Sequence, residues 1–351
     1  YGARKFDKMN KYAGNSITLA FVIGMVIMIV AHFLSRPLLK AIDTPDDIID
    51  MSAQYIDVLY YAVPIQMSLN NFNALSRAVG DSKRPLYFLI VSVIVNLLLD
   101  ILFVGAFKWG VIGAAWATAI SELVAAVLSA ISVLKYTEEY NIDKTALKID
   151  GKVSWAQIKI GIPISLQFSI TSIGSMVLQT AVNGFGSSVI AGFTAAGRVE
   201  QLTNIPMSGL GVGNMTFVSH NYGAGKYERI VTSVKRIFIL DVIVSLACSA
   251  ILVSIGPFIV KLFMKEYNAQ IMDAAMHYLW AIAECYSLVA VLFVFRNTLQ
   301  GLGFTYANMI AGAGELFGRL AVALVFTPLI GFNAICYAGP VAWLLADIPL
   351  V

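Results

Sequence analysis

The sequence predicts an all-α membrane protein of about ten transmembrane helices with parallel internal repeats. Three observations lead there: a composition poor in charge, apolar runs long enough to span a bilayer, and a segment that occurs twice. Hydrophobic residues make up 58% of the 351-residue chain and charged residues 13%, with a mean hydropathy of +0.78. A soluble domain carries about 25% charged residues, so most of this surface has to face lipid. The apolar runs are continuous, whereas a membrane β-barrel needs alternation.

Ten runs reach the roughly 20 helical residues that cross a hydrocarbon core. They are 17–39, 55–79, 86–107, 110–134, 157–184, 188–217, 236–263, 274–301, 305–328 and 331–351. Charge bounds them in order. Arg4, Lys5, Lys8 and Lys11 precede the first, and an acidic loop with Asp43, Asp46, Asp47 and Asp50 follows it. Lys83 and Arg84 separate the second from the third, and Lys108 the third from the fourth. The polar stretch 135–156, with Lys135, Lys144, Lys148 and Lys152, leads to the fifth and sixth. Lys226, Arg229, Lys235 and Arg236 stand before the seventh, and Lys261 and Lys265 before the eighth.

These loops alternate between two sides. The side of the first segment, with Lys159 included, holds fifteen bases, and the other holds five (Arg36, Lys40, Lys108, Lys261 and Lys265). Basic residues favour cytoplasmic loops, so the first side is cytoplasmic. The net charge of +3 is then a signal of topology and gives no reason to expect nucleic acid.

Tyr1-Gly2-Ala3-Arg4-Lys5-Phe6-Asp7-Lys8-Met9 returns as Tyr222-Gly223-Ala224-Gly225-Lys226-Tyr227-Glu228-Arg229-Ile230. Tyr55 then pairs with Tyr278, Gly80 with Gly303, Gly110 with Gly331 and Ala117 with Ala338. Residues 1–134 and 222–351 therefore read as two copies of one unit. An even number of runs separates the copies, so both cross the membrane in the same sense, as in parallel-repeat transporters. Two runs precede the second copy, and symmetry implies a twelve-helix (6+6) parent with another pair ahead of Tyr1. On this reading 1–134 is an amino-terminal lobe with four of six helices. Residues 135–156 are a cytoplasmic linker, and 157–351 are a six-helix carboxy-terminal lobe. Residues 1–351 alone are not expected to transport.

Nothing in the chain points to an enzyme or a cofactor. His32, His220 and His277 lack metal-ligand spacing, and no P-loop, nucleotide fingerprint, His-Glu-x-x-His or Gly-x-Ser-x-Gly motif occurs. Cys248, Cys285 and Cys336 lie in apolar runs and read as buried small hydrophobes. Ionisable residues inside the runs are the functional candidates, because a charge at membrane depth costs several kcal/mol. Asp100 is fifteen residues into the run that begins at Leu86, with Asn96 one turn earlier on the same face. Thr118 lies in the next run. Asp, Asn and Thr oxygens together suit Na⁺, and an aspartate in a low-dielectric site can equally hold a proton. A packing hydrogen bond between Asp100 and Asn96 is the plain alternative. Glu315 and Arg319, at i and i+4, can pair within one helix and read as structural. Arg198, Glu200, Gln201, Glu284 and Arg296 stay open between cavity lining and helix packing.

Several segments carry a resemblance. They are the Tyr-Gly-Ala-x-Lys loop, Arg77-Ala78-Val79-Gly80-Asp81-Ser82-Lys83-Arg84-Pro85, Asn96-Leu97-Leu98-Leu99-Asp100 and Gly110-Val111-Ile112-Gly113-Ala114-Ala115-Trp116-Ala117-Thr118. In order and spacing they resemble the amino-terminal lobe of multidrug and toxic compound extrusion (MATE) transporters. Asn221-Tyr222-Gly223-Ala224-Gly225-Lys226 resembles the matching loop of the second lobe. The resemblance covers the whole chain, starting at the family's third helix. It implies two six-helix lobes forming a V around a central cavity in a bacterial plasma membrane. It further implies a monomer among membrane lipids that exports small organic compounds, often cationic, in exchange for Na⁺ or H⁺. Asp100, Asn96 and Thr118 would contribute to the amino-lobe cation site, together with an Asp on the family's first helix. The acidic positions that some branches carry in the second lobe fall here on Thr171 and Val289, so a site of that type is not expected.

Two rivals remain. A flippase of lipid-linked saccharides with a related two-lobe fold needs a strongly cationic cavity, for which only Arg198, Arg296 and Arg319 are available. A non-transporting membrane scaffold leaves Asp100 and the repeated loop without a purpose.

Overall fold

The computed structural model describes residues 1–41, 46–264 and 268–351. Asp43 and Lys265, two of the loop charges above, lie outside the described residues. Among the described residues there is no β-strand. The first four helices are α1 (Phe6–Ala41), α2 (Asp46–Ala78), α3 (Lys83–Asp100) and α4 (Gly110–Lys135). Next come α5 (Gly151–Asn183), α6 (Ser187–Gly223), α7 (Tyr227–Ser254) and the short α8 (Gly256–Leu262). The pair α9 (Ala269–Glu284) and α10 (Tyr286–Leu302) is bent by 55°. The chain closes with α11 (Thr305–Ala321), α12 (Thr327–Ile330), α13 (Phe332–Cys336) and α14 (Ala338–Asp347). Ile101–Ala106 after α3 and Val322–Phe326 after α11 wind as π-helices.

Six described helices are long and apolar enough to cross a membrane, or seven with α9–α10 as one bent span. The ten expected runs all fall on helical segments, but not all qualify by composition. α2 and α6 have the length, at 33 and 37 residues. Their polar side chains lower the hydropathy: Gln66, Asn70, Asn71 and Asn73 in one, Arg198, Glu200, Gln201 and Asn204 in the other. α13 and α14 are too short, with 5 and 10 residues.

The chain divides into two compact units, essentially residues 3–157 and 158–351. In the first, α2 packs against both α1 and α4. α4 makes this possible with a buried face of small residues, among them Gly113, Ala115, Ala117, Ser121 and Ala125. Without a hydrophobic force between helices in lipid, close backbone approach of this kind is what holds them together. α3 turns its apolar residues outward: Leu97 and Leu98 are 60% exposed, and Ile101 just past its end is 62% exposed, as a lipid-facing helix requires. The polar stretch after α4 is tied to α1. Buried Asn15 accepts from the Asp150 backbone N–H at 2.8 Å and donates to Gln157 at 2.8 Å and Ser154 at 3.1 Å. Lys11 Nζ lies 2.7 Å from Asp150 and holds that carboxyl down at about 2, helped by the Val153 N–H. Tyr140 donates to the Leu75 carbonyl, and burial pushes its phenol up to about 12.

The second unit is built on α6, α7, α9, α10 and α14. Its core contains Val199, Met207, Leu252, Leu279, Ile282, Tyr286 and Val289. α11 and α14 approach to backbone contact. A Cβ on Gly314 would meet the Leu345 carbonyl oxygen at 2.7 Å, and one on Gly318 the Ala342 Cα at 2.9 Å. These glycines let the two backbones approach closely, one residue away from Glu315 and Arg319.

Candidate functional site: two polar cavities and a buried charge cluster

Helices α2, α3 and α4 of the first unit enclose a cavity of about 250 Å³. Asn96 and Thr118, expected to act together, both line it, with Asn73, Ser92, Ser121 and Glu122. Ser92 Oγ donates to the Ser121 carbonyl at 2.9 Å and pins α3 to α4. Thr118 donates to its own helix, to Ala114 O at 3.0 Å, so only its lone pairs remain for a ligand. Asp100 is not in the lining. It is the last residue of α3, one turn beyond Asn96, where the backbone loosens into the π-helix. Its Oδ1 is buried and has no hydrogen-bond partner. The hydrogen bond to Asn96, the plain alternative, is therefore not made by Oδ1.

The ionisable group on this cavity is Glu122, which the sequence reading passed over. It accepts from Gln66 Nε2 at 3.2 Å, across from α2. Its signal was available: it stands four residues after Thr118, on the same face, and is the only charge between Lys108 and Lys135.

The second unit holds a larger polar cavity, about 380 Å³, lined by Arg198, Glu200, Gln201, Asn204, Tyr278 and Arg319. Tyr278 donates to Glu200 at 2.7 Å, and Tyr286 to Asn204 at 3.1 Å. Arg198 and Gln201, expected as cavity or structural residues, both face this space and make only a long mutual contact of 3.5 Å. Glu284 is elsewhere, accepting from Tyr337 Oη at 3.0 Å.

Behind the cavity, Glu315 is 2% exposed and takes two guanidiniums. Arg296 from α10 forms the short ion pair, and Arg319 from one turn away lies at 3.4 Å. The pair inside α11 expected from the sequence exists, but the cross-helix partner Arg296 is the closer. Arg319 also donates to Thr171 O at 3.3 Å. Thr171 and Val289, at the positions where some branches of the resembled family carry an acid, offer a hydroxyl and a buried apolar side chain. Two further carboxyls escaped the sequence reading. Asp241 on α7 and Asp347 on α14 are 0% and 7% exposed, and none of their four oxygens has a hydrogen-bond partner. Among the described residues no group of three or more His, Cys, Asp or Glu is placed to hold a metal ion.

The family model MatE matches residues 1–102 and 163–328, well over half of the chain. The chain belongs to the MatE family. Like the rest of that family it is a multi-pass protein of the cell membrane. The probable multidrug resistance proteins YoeA and YpnP of Bacillus subtilis (strain 168) are each 27% identical, over 76% and 77% of this chain. The chain spans only 59% and 60% of their lengths. The multidrug export protein MepA of Staphylococcus aureus (strain NCTC 8325 / PS 47) is 22% identical over 98% of this chain and 74% of its own. These relatives are named for resistance and export, not for catalysis. Among solved structures, a MOP superfamily transporter from Pyrococcus furiosus superposes with a TM-score of 0.92 at 21% identity, covering 99% of this chain and 78% of that one. An outward-facing multidrug resistance MATE family transporter gives the same values. At that identity they show a common MatE fold.

Proposed function

We propose that this MatE-family protein is a secondary exporter of small organic compounds, often cationic, driven by exchange for Na⁺ or H⁺. In this reading 1–134 and 157–351 belong to the two lobes, 135–156 is the cytoplasmic linker, and the protein works as a monomer in lipid. Asp100, Asn96 and Thr118 carry the coupling ion. The observation that carries the reading is Asp100 Oδ1, a buried acceptor without a donor one turn from the cavity-lining Asn96. An unpartnered carboxylate oxygen at membrane depth is expensive, so its retention makes sense where an ion or proton comes and goes. The names of the relatives support the substrate class. The flippase alternative finds little support, because Glu315 already engages both Arg296 and Arg319. That leaves little positive charge for a pyrophosphate.

The test uses everted membrane vesicles carrying the full-length protein, with Na⁺ and H⁺ gradients imposed separately. Export driven by one gradient and abolished by Asp100→Asn is the expected result. Export that persists in the variant under both gradients would refute the assignment.

A further inference from the structure

The buried charges of the second unit do not balance, and we propose that Asp347 is a proton-binding site sensed by the Arg296–Glu315–Arg319 cluster. The proposal rests on the reading of the protein as an ion-coupled exporter and adds a position in the other unit, on a different helix.

Both Asp347 oxygens are buried and without a partner. The elements packed on α14 bring Arg296 from α10, Glu315 and Arg319 from α11, Tyr278 and Glu284 from α9 and Cys336 from α13. The other acids of this region all have donors. Glu315 takes the two arginines, Glu200 takes Tyr278, and Glu284 takes Tyr337. Arg296 and Glu315 are the charges within electrostatic reach of Asp347, and they are already paired to each other. Arg296 and Arg319 already face two carboxylates, Glu315 and the cavity-lining Glu200, so an ionised Asp347 would be a third acid for two arginines inside the bundle, at a cost of several kcal/mol.

A proton answers that imbalance better than a metal cation does. Cations of this kind need a shell of several oxygens, and neither Asp347 oxygen has a hydrogen-bond partner that would order such a shell around it. The Arg296 guanidinium nearby also repels a second cation. A proton needs no shell, and it leaves a neutral acid that this apolar packing accepts.

The cluster is arranged to respond. Arg296 Nε is buried and lacks an acceptor. When Asp347 loses its proton it becomes the acceptor that this N–H is missing. Arg296 then divides its charge between Asp347 and Glu315, and Glu315 shifts its weight to Arg319. Arg319 lines the polar cavity with Glu200 and Tyr278. Proton occupancy on α14 thus reaches the cavity through two ion pairs, and any ligand held differently in the two states changes that occupancy in return.

Infrared difference spectroscopy of the lipid-reconstituted protein at neutral pH detects protonated carboxyl groups directly, without any need for transport. Asp347→Asn is expected to remove one protonated aspartate from the spectrum, and Asp241→Asn a different one. The melting temperature of the wild type should fall once pH is raised far enough to ionise Asp347, while that of Asp347→Asn stays flat. An unchanged spectrum in Asp347→Asn overturns the proposal. So does stabilisation by Na⁺ that the wild type shows and Asp347→Asn lacks, which would make this a metal-cation site. If Asp347→Asn does not fold, isotopically labelled aspartate in an Asp100→Asn, Asp241→Asn background gives the same reading. A protonated aspartate must remain there, and its absence refutes the site. Because Asp100→Asn is read by vesicle export and Asp347→Asn by proton inventory, the two proposals fail separately.

Discussion

Arg4 and Gly225 stand 221 positions apart and both take a left-handed backbone, with φ of +53° and +70°. The turns around them are the same. Arg4 N–H donates to Tyr1 O at 2.8 Å, and Gly225 N–H to Tyr222 O at 3.1 Å. A second pair of turns agrees as closely. Gly80 bonds back to Arg77 and Asp81 to Ser76 at the end of α2, and Gly303 bonds back to Gln300 and Phe304 to Leu299 at the end of α10. The two π-helical segments begin at Ile101 and Val322, again 221 positions apart. The repeat in the sequence is therefore a repeat of backbone conformation, kept even where the side chain changes from arginine to glycine.

That difference can be measured. A left-handed residue with a Cβ costs about 1–2 kcal/mol, and only glycine escapes it. Gly225→Ala is expected to lower stability by about 1 kcal/mol. Arg4→Gly should leave it unchanged or slightly raised, since the relief is offset by the extra backbone freedom of glycine, about 0.5–1 kcal/mol. Thermal melting in detergent reads both. Equal melting of Gly225→Ala and the wild type would mean the turn does not hold the loop.

The helix positions were legible because length, hydropathy and loop charge all report the same boundaries. The π-helical turns were not, since Ile101–Ala106 is as apolar as the α-helix before it and its one weak helix former, Gly105, comes only after the widened turn has begun. That Asn96 and Thr118 face one another across α3 and α4 was legible, and both line the same cavity. Asp100 was legible as an ionisable residue at depth, but not its displacement from the cavity, because the lining ends one turn earlier on the same face, where α3 gives way to the π-helix. Arg319 could be paired with Glu315 from the sequence because both lie on one helix. Arg296 could not, because that pairing depends on the register of α10 against α11. Asp241 and Asp347 were overlooked although each is a charge inside an apolar run, the same signal that singled out Asp100.

Asn15 is the buried residue of α1 that holds the end of the polar stretch at Asp150 and the first turns of α5 at Ser154 and Gln157, through three hydrogen bonds. Asn15→Ala strands the partners of a fully buried amide, which costs about 1–3 kcal/mol. Limited proteolysis should cut between Lys135 and Gly151 earlier in the variant than in the wild type. Equal cutting rates would show that the stretch is held by other contacts.

The Lys11–Asp150 pair predicts a response to acid. Asp150 is held at about 2, below its ordinary range of about 3.9, chiefly by Lys11. Its contribution is present in full above the ordinary value and is lost as pH falls toward the depressed one. Melting curves between neutrality and strong acid should show a loss of stability in that window. In Lys11→Met the loss should be smaller, and high salt should shrink it further because the pair is exposed. A salt-insensitive profile identical in both proteins would contradict the assignment.

Glu122 and Asp100 are both acids of the first unit, and they are expected to do different things. Asp100→Asn should abolish gradient-driven export in the full-length protein while expression and insertion remain. Asn96→Ala and Thr118→Ala should weaken coupling less, since each removes a neutral oxygen. Glu122 faces the cavity, so Glu122→Gln should raise the KM for a cationic compound by about tenfold, the equivalent of 1.4 kcal/mol. It should leave the dependence on the gradient intact. If Glu122→Gln removed that dependence and Asp100→Asn kept it, the coupling carboxyl would be the one on the cavity.

Glu315 carries the largest expected loss of stability. Its side chain is 3% exposed, and those of Arg296 and Arg319 are 13% and 12%. Removing one member of a buried ion pair strands the other charge and costs about 3–5 kcal/mol. Glu315→Gln strands two, so it should reach the upper end of that range. Arg319→Met should cost less than Arg296→Met, because the Arg319 contact is the longer one and Glu315 keeps its nearer partner. The stranded charge is what costs, so replacing all three residues by apolar ones of similar size should recover most of the loss. Denaturation in detergent, arranged as double-mutant cycles, separates the two pairings because residues in one network do not add. A coupling energy near zero between Arg296 and Glu315 would mean that the close pair contributes no net stability and that packing alone holds α10 against α11.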